Sequence, residues 1–469
     1  MISYDKHDLI KKFKMFLDKF DYDLIYQLLS GDVNYFYNPW QTYDYIIEKL
    51  YNIEPEKRVV YRLLLLGDKV KKDDAISAMG NEIIDILLEL NIVEDDCNYL
   101  KSKGYSLISY CDYYFLVGTP YFYSNCKEKD PAVYIGADTY KLAKMHLSKK
   151  VGNVLDLCTG SGIQIVLAAR NAVKGIGIEL NPEAYPVTKF NILLNGLEDK
   201  IEIRNGDLYN PVKDLKFDVI TSNPPFIPVP KDINYSLAGD GGEDGLDIVT
   251  RIVNGYKEHL NVGGYGLMIG EAIGDENGAF MSEVLQKILG NEFSAKLFLV
   301  TRITIEEQAK NVSGLTNIIK TKYEGKTNEI YEQWMQMYKK LGATYYYSFE
   351  LKVKRISENE KPKFEVITTF PKWTSKDKPL ICKEYNVEDS ENDDVYLIKV
   401  DGKIVSVLDK EATKLIPYMD GKTEISDMVN KINELDKENL VNKDIYFSKQ
   451  RDIIEVCDIL EKCGVVERV

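Results

Sequence analysis

The chain has 469 residues, 45% hydrophobic content and a formal charge of -14, so it is too long for one ordinary core and points to two or three domains. The acidic balance argues against broad sliding along nucleic acid, where affinity comes from Lys and Arg neutralising phosphates, though it leaves a local basic groove open. Seven scattered cysteines without a CxxC pair, accompanied by three histidines, argue against a metal site and read as reduced, mostly buried thiols. The first fifteen residues, beginning Met1 to His7, lack the apolar core of a signal peptide and no later stretch gives eighteen uninterrupted apolar residues. The expectation is a soluble, cytoplasmic protein with no membrane partner; oligomeric state is not legible.

In chain order, Leu9, Phe13, Phe16 and Phe20 recur at helical spacing, followed by Leu24, Tyr26, Leu28 and Leu29, which predicts packing helices over 7–50. Residues 57–110 read as a winged helix: helices over Val59–Leu66, Asp73–Met79 and Glu82–Leu90, then Ile92, Val93 and a polar wing to Tyr110. The helix faces carry Asp73, Asp74, Glu82, Asp85 and Glu89, where a DNA-reading helix needs Arg and Lys; protein contact or structural support fits better. These elements define an N-terminal helical and winged-helix-like domain over 1–125.

From 126 to 354 short apolar runs alternate with amphipathic helices, the pattern of a doubly wound α/β sheet. Strands are predicted at 153–157, 174–179, 201–204, 217–221, 264–270, 296–302 and 345–354, with helices starting near Ile163, Pro182, Glu243, Gly278 and Asn328. Residues 303–327 show no clear periodicity, and the charged, Pro-containing 355–392 reads as a linker. A C-terminal winged-helix-like unit over 393–469 follows, with strands Val395–Val400 and Ile404–Leu408 around the turn Asp401-Gly402. Its helices are predicted at Ala412–Tyr418, Glu424–Ile432 and Arg451–Lys462, so the two ends of the chain echo each other in architecture.

The chemistry concentrates between 151 and 226. The turn Asp156 to Gly162 joins a strand to a helix, and its glycines let backbone N–H groups face a ligand. It is not the dinucleotide GxGxxG; its D-x-x-x-G-x-G form suits a nucleoside with an amino-acid tail, with a generic strand–helix turn as the alternative. Glu179, at the end of the next strand and beside Leu180, is placed to accept hydrogen bonds from two ribose hydroxyls, or else is a surface carboxylate. Asp207 is placed to accept an adenine amino group and Leu208 to cover the ring face; the alternative is a turn-forming Asp.

Asn223-Pro224-Pro225-Phe226 ends a central strand, where open sheets bind ligands. The paired prolines stiffen the chain and remove donors, leaving the Pro224 carbonyl and the Asn223 side-chain oxygen as acceptors for an NH2 group. A planar amide or aromatic amine is a poor nucleophile because its lone pair is delocalised. Two acceptors on its hydrogens favour a pyramidal nitrogen with its lone pair aimed at a methyl group, while Phe226 stacks on the planar substituent.

With these motifs in order, residues 130–354 resemble a class I S-adenosylmethionine-dependent methyltransferase of the N-methylating NPPF/Y group. The loop Ser236–Asp247 is similar to that of the release-factor glutamine methyltransferases, and Val133–Thr139 with the two end domains resembles a bacterial family with a winged helix at each end. The resemblance implies a Rossmann-like seven-stranded sheet and S-adenosyl-L-methionine as cofactor. It also implies a cofactor site made of Asp156, Cys158, Thr159, Gly160, Gly162, Glu179, Leu180, Asp207, Leu208 and Asn223, and an acceptor clamp of Asn223, Pro224 and Phe226. Cys158 departs from the family pattern, which more often has glycine there, and the chain continues more than a hundred residues past the family's last strand. The final unit resembles PqqD-like peptide-binding winged helices, which tilts the acceptor toward a peptide, protein or peptide-like metabolite. A base in RNA or DNA, flipped onto Phe226, is the first alternative and a non-catalytic cofactor sensor the second. No metal is needed, His146 and His259 read as structural, and Asp240 and Glu243 as solvated loop residues.

Overall fold

The structure is a computed structural model that describes residues 2–30, 42–119, 132–146, 149–319, 325–368, 370, 373–374, 376–389, 395–428, 431 and 444–469. Contacts divide the chain into Met1–Thr368 and Thr369–Val469.

In the first unit, helices Pro55–Leu64, Lys72–Met79 and Asn81–Glu89 follow the predicted pattern within a few residues. A small antiparallel sheet joins Val70–Lys71, Tyr99–Ser102 and Val93–Asp96. A second hairpin, Tyr105–Tyr110 with Tyr113–Gly118, follows. The large sheet comes next. Helix α1 (Ala137–Met145) leads into strand β1 (Val151–Leu157), helix α2 (Ile163–Ala169), β2 (Ala172–Glu179), α3 (Ala184–Leu194), β3 (Ile201–Asn205) and β4 (Phe217–Ser222). After α4 (Asp247–His259) come β5 (Leu260–Asp275), α5 (Met281–Leu289), β6 (Phe293–Thr304), α6 (Ile305–Ile319), α7 (Thr327–Lys340), β7 (Tyr345–Arg355) and β8 (Phe364–Thr368).

In space the strands run β3-β2-β1-β4-β5-β7-β6-β8, with the short Gly278–Ala279 strand off the end of β5. The first five pair in parallel and β7 is antiparallel to both β5 and β6. Helices cover the faces, so the central strands are runs of buried apolar residues instead of alternating ones. The sheet therefore exceeds the seven strands expected. Phe364–Thr368, inside the stretch read as a linker, pairs in parallel with β6. Helix α6 also occupies a stretch without a clear apolar stripe: beside Ile305, Ala309 and Val312 it buries the polar Gln308, Ser313 and Thr316.

The N-terminal elements and the sheet form one unit, because the α3 side chains continue the second hairpin. Asn191 accepts from the Leu116 N–H (2.8 Å) and donates to the Leu116 carbonyl (2.9 Å), and Asn195 does the same with Tyr114 (2.9 and 2.7 Å). Asn191 also donates to the Ser161 carbonyl (2.9 Å), tying the hairpin to the turn after β1.

In the second unit, Asn386–Asp389, Val395–Val400 and Lys403–Asp409 form an antiparallel sheet. Asp401 (φ 51°) and Gly402 (φ 74°) are both left-handed, as a two-residue turn of primed type requires. A short helix Lys410–Thr413 and a three-ten turn Ile416–Tyr418 replace the single helix expected there. Helix Asp444–Lys462 packs Ile453, Cys457 and Leu460 into a core with Ile398, Ile425 and Met428. Residues 425–428 are helical, while 429–430 and 432 of that predicted helix lie outside the described residues. Of the six described cysteines, all free, Cys97, Cys111 and Cys382 are exposed and only Cys457 is buried, against the expectation of mostly buried thiols. Cys97 and Cys111 take left-handed backbone at hairpin turns, which places them at the surface.

Candidate active site

The parallel registers set Leu157 and Ser222, at the carboxyl ends of β1 and β4, beside Met268, where the parallel pairing of β5 stops. The Cys158–Gly162 turn, Asn223–Phe226 and Ile269–Glu271 continue directly from those three residues, so they meet at one edge. This is where open parallel sheets bind ligands.

In the first turn, Cys158 (φ 61°), Gly160 (φ 54°) and Gly162 (φ 83°) are all left-handed. Cysteine thus occupies a glycine-type conformation at a cost of about 1–2 kcal/mol, and desolvation, with Glu179 and Asp156 nearby, pushes the pKa of this half-buried thiol up, away from the reactive thiolate. Thr159 donates to the Asp156 carbonyl (3.0 Å) and locks the turn. Thr188 of α3 donates to the Gly160 carbonyl (2.5 Å).

Glu179 fastens this turn to β2. Its carboxylate accepts from the Gly160 N–H and from the Asn181 N–H, both at 2.7 Å, and each oxygen keeps a further lone pair. Burial raises its pKa against the lowering effect of those N–H donors. Leu180 beside it is half exposed. Leu208 is buried and left-handed (φ 48°), and the Asp207 carboxylate is engaged by Arg251 of α4 at 2.5 Å, a partner that the sequence reading missed.

Asp156 is fully buried and neither carboxylate oxygen has a hydrogen-bond partner. Burial pushes its pKa well up. A buried acid whose oxygens lack a close donor is an orphaned polar group, which a donor or cation of a bound ligand would satisfy.

At the end of β4, the Asn223 Nδ2 donates to the Asp138 Oδ2 of α1 at 2.6 Å. The amide orientation is thereby fixed, and its Oδ1 is left buried with no partner, an acceptor awaiting a donor. Phe226 is kept in place by the glycine-rich loop folding back on it. Ile227 donates to the Gly239 carbonyl (2.8 Å) and Gly241 to the Ile227 carbonyl (2.9 Å). A Cβ on Gly241 would come within 2.8 Å of the Phe226 Cα, so only glycine allows this approach. Trp334 of α7, fully buried, anchors the same loop by donating to the Pro228 carbonyl at 2.9 Å.

Three residues that sequence reasoning did not single out complete the edge. Asp138 lies 85 positions from its partner Asn223. Glu271 and Lys141 line a small cleft with Asp138, Phe226 and Phe349. A lone acid within the buried run Ile269 to Ile273 was the signal available for Glu271. Asp240 accepts from the Gly242 N–H and Glu243 pairs with Lys231 (3.0 Å) and Lys340 (3.5 Å), so both serve the loop. His146 meets Gln164 (2.8 Å), and His259 stacks on Tyr209 and meets the Leu215 carbonyl (3.0 Å), so each has a structural partner. A larger cavity, about 310 Å³, opens at the amino ends of β1 to β4 beside Lys174, Lys200 and Lys216, opposite this edge. Among the described residues no group of His, Cys, Asp or Glu is arranged to hold a metal ion, and no helix is long and apolar enough to cross a membrane.

A parallel sheet in the order 3-2-1-4-5 extended by an antiparallel seventh strand before the sixth, with a glycine turn, an acid-capped β2 and an Asn-Pro-Pro-Phe edge, defines a Rossmann-like methyltransferase fold. Residues 139–291 match the family model described as methyltransferase small domain. The chain is 31% identical over 183 residues to a protein of Methanocaldococcus jannaschii provisionally named protein N5-glutamine methyltransferase, covering 89% of that protein and 38% of this chain. It is 30% identical to the ribosomal protein uL3 glutamine methyltransferase of Bradyrhizobium diazoefficiens, covering 61% of it and 40% of this chain. It is 37% identical to the release factor glutamine methyltransferase of Clostridium acetobutylicum, covering 50% of it and 28% of this chain. The chain belongs to the S-adenosylmethionine-dependent methyltransferases of the release-factor glutamine methyltransferase-like group. It spans about half to three fifths of the length of the uL3 and release-factor relatives.

Proposed function

We propose that this protein transfers a methyl group from S-adenosyl-L-methionine to the side-chain amide nitrogen of a glutamine in a protein. The observation that carries the reading is Asn223, at the carboxyl end of β4, whose amide is held by Asp138 and whose Oδ1 is left buried and unpartnered. A nitrogen with hydrogens to donate satisfies that oxygen, and the Pro224 carbonyl supplies a second acceptor.

The cofactor supplies an electrophilic methyl group on a sulfonium centre. On this reading Asp156 takes its cationic amino-acid end, and the backbone of Cys158, Thr159, Gly160 and Gly162 borders that end. Glu179 takes the ribose hydroxyls with lone pairs left free by Gly160 and Asn181, and Leu180, Asp207 and Leu208 enclose the adenine. Asn223 and Pro224 hold the acceptor NH2, and Phe226 stacks on the amide plane, so that orientation instead of a strong base lowers the barrier.

The relatives' named acceptors, release factor and ribosomal protein uL3, favour a protein acceptor for this chain as well. Both end units are read as winged-helix modules that contact that protein, in keeping with the acidic helix faces of the first and with Glu424 and Asp427 in the second, and the site of action as the cytoplasm. The test is to supply methyl-labelled cofactor with a cell lysate and count label in separated protein, RNA and small-molecule fractions. Label in protein supports the reading. Label confined to RNA makes the acceptor a base, and no label despite cofactor binding makes the protein a sensor.

A further inference from the structure

Glu271 follows the β5 segment that runs beside the Asn223 strand. The register sets Met268 against Ser222, so Ile269 to Glu271 continue next to Asn223–Phe226. Together with Asp138, Lys141, Phe226 and Phe349, Glu271 lines a cleft of about 20 Å³, roughly the space one water needs. On the other side β7 pairs Ser348 with Glu271 and Tyr346 with Ile273, which puts these side chains on one face of the sheet. Behind them Tyr338 and Tyr346 are 0% and 2% exposed, the Tyr338 hydroxyl is buried without a hydrogen-bond partner, and the Tyr346 hydroxyl faces the Glu271 carboxylate. A carboxylate between the acceptor clamp and two buried hydroxyls has no packing role that an apolar residue would not fill better.

We infer that Glu271 is a catalytic residue: it takes the proton that the acceptor nitrogen sheds when it is methylated. The inference rests on the function proposed above. The nitrogen–carbon bond forms as the carbon–sulfur bond breaks, its electron pair going to sulfur. In the same step the nitrogen, as it gains positive charge, loses a proton while the N–H electron pair stays on it, and a Glu271 oxygen gains the O–H bond. The cleft admits one water to bridge the two.

Burial pushes Glu271 up to about 7; Tyr346 facing it lowers the value, Asp138 raises it and Lys141 lowers it. A base in that range is substantially ionised at neutral pH, yet basic enough to hold the proton until solvent removes it.

Two readouts test this. In cofactor-free full-length protein, the infrared difference between wild type and Glu271→Gln should show a protonated carboxyl band that disappears with a midpoint near 7. A carboxylate already ionised at pH 5.5 overturns the inference. With labelled cofactor and three acceptor probes (recombinant release factor, ribosomal protein uL3 and lysate protein), wild-type kcat should fall about tenfold per pH unit on the acid side of that midpoint. Glu271→Gln should lower kcat roughly 100-fold and abolish this acid limb, while Glu271→Asp, which retains a carboxylate, keeps the limb at reduced rate. Turnover of Glu271→Gln within about twofold of wild type, or an unchanged limb, overturns the inference. An inactive wild type is a different failure: it removes the proposed function, and the role of Glu271 with it.

Discussion

Replacing Asp138 by alanine probes the acceptor clamp without touching cofactor or acceptor. The Asn223 Nδ2 donates to the Asp138 carboxylate at 2.6 Å, and that bond sets the orientation of the amide. A hydrogen bond to a charged group is worth about 1.5–3 kcal/mol. If its loss lets the amide rotate, transition-state orientation suffers by that amount, or roughly 10- to 150-fold in kcat. Asp138→Asn keeps an acceptor oxygen at the same place, and its neutral bond of about 0.5–1.5 kcal/mol should limit the loss to roughly 2- to 13-fold. The assay is initial-rate methyl transfer for both variants, with cofactor affinity measured by calorimetry and expected to be unchanged. Full kcat in Asp138→Ala, or equal losses in the two variants, would refute the argument that this bond sets the clamp.

Asn223→Ala should bind cofactor with wild-type affinity but lose turnover by about 100- to 1,000-fold, as removal of one aimed polar group does elsewhere; parallel calorimetry and rate measurement decide it. Glu179→Ala leaves the Gly160 and Asn181 N–H groups without their carboxylate, and cofactor Kd should rise about 10- to 150-fold in the same calorimetric titration. Trp334→Phe strands the buried Pro228 carbonyl, and equilibrium denaturation should show a loss of about 1–3 kcal/mol. Glu271 gives a pH-dependent stability. Because its folded value is raised to about 7, the unfolded chain releases this proton first, and wild-type stability should fall as pH rises between the unfolded and folded values. Glu271→Gln lacks that slope, so above pH 7 it should be more stable than wild type by a few kcal/mol, about 1.4 kcal/mol for each pH unit separating those two values; a variant less stable at pH 8 than at pH 5 relative to wild type would contradict this.

The placement of the Asp156–Gly162 turn, Glu179, Asp207 and Asn223–Phe226 at or just beyond strand ends was legible because each goes with a short strand pattern, which is local in sequence. The central strands were legible for the same reason, and β5 extends beyond its predicted bounds at both ends. The features that escaped depend on chain segments that meet only in the fold. The Asp138–Asn223 bond spans 85 positions, and Arg251 reaches Asp207 across 44. Asn191 and Asn195 look like ordinary polar residues on α3, and their pairing with the Tyr114 and Leu116 backbone is what merges the N-terminal elements with the sheet. Strand β8 was missed because Lys and Pro flank it and because an edge strand needs no long apolar run.

The central claim is that a planar side-chain amide is the methylated group. Its most direct measurement is complete enzymatic digestion of the protein fraction labelled by the wild-type enzyme, with the labelled amino acid identified by mass spectrometry. The account predicts label in glutamine methylated on its side-chain nitrogen, absent when Asn223→Ala replaces wild type. Label on a lysine or arginine nitrogen, on an oxygen or sulfur, or only in nucleosides would contradict it.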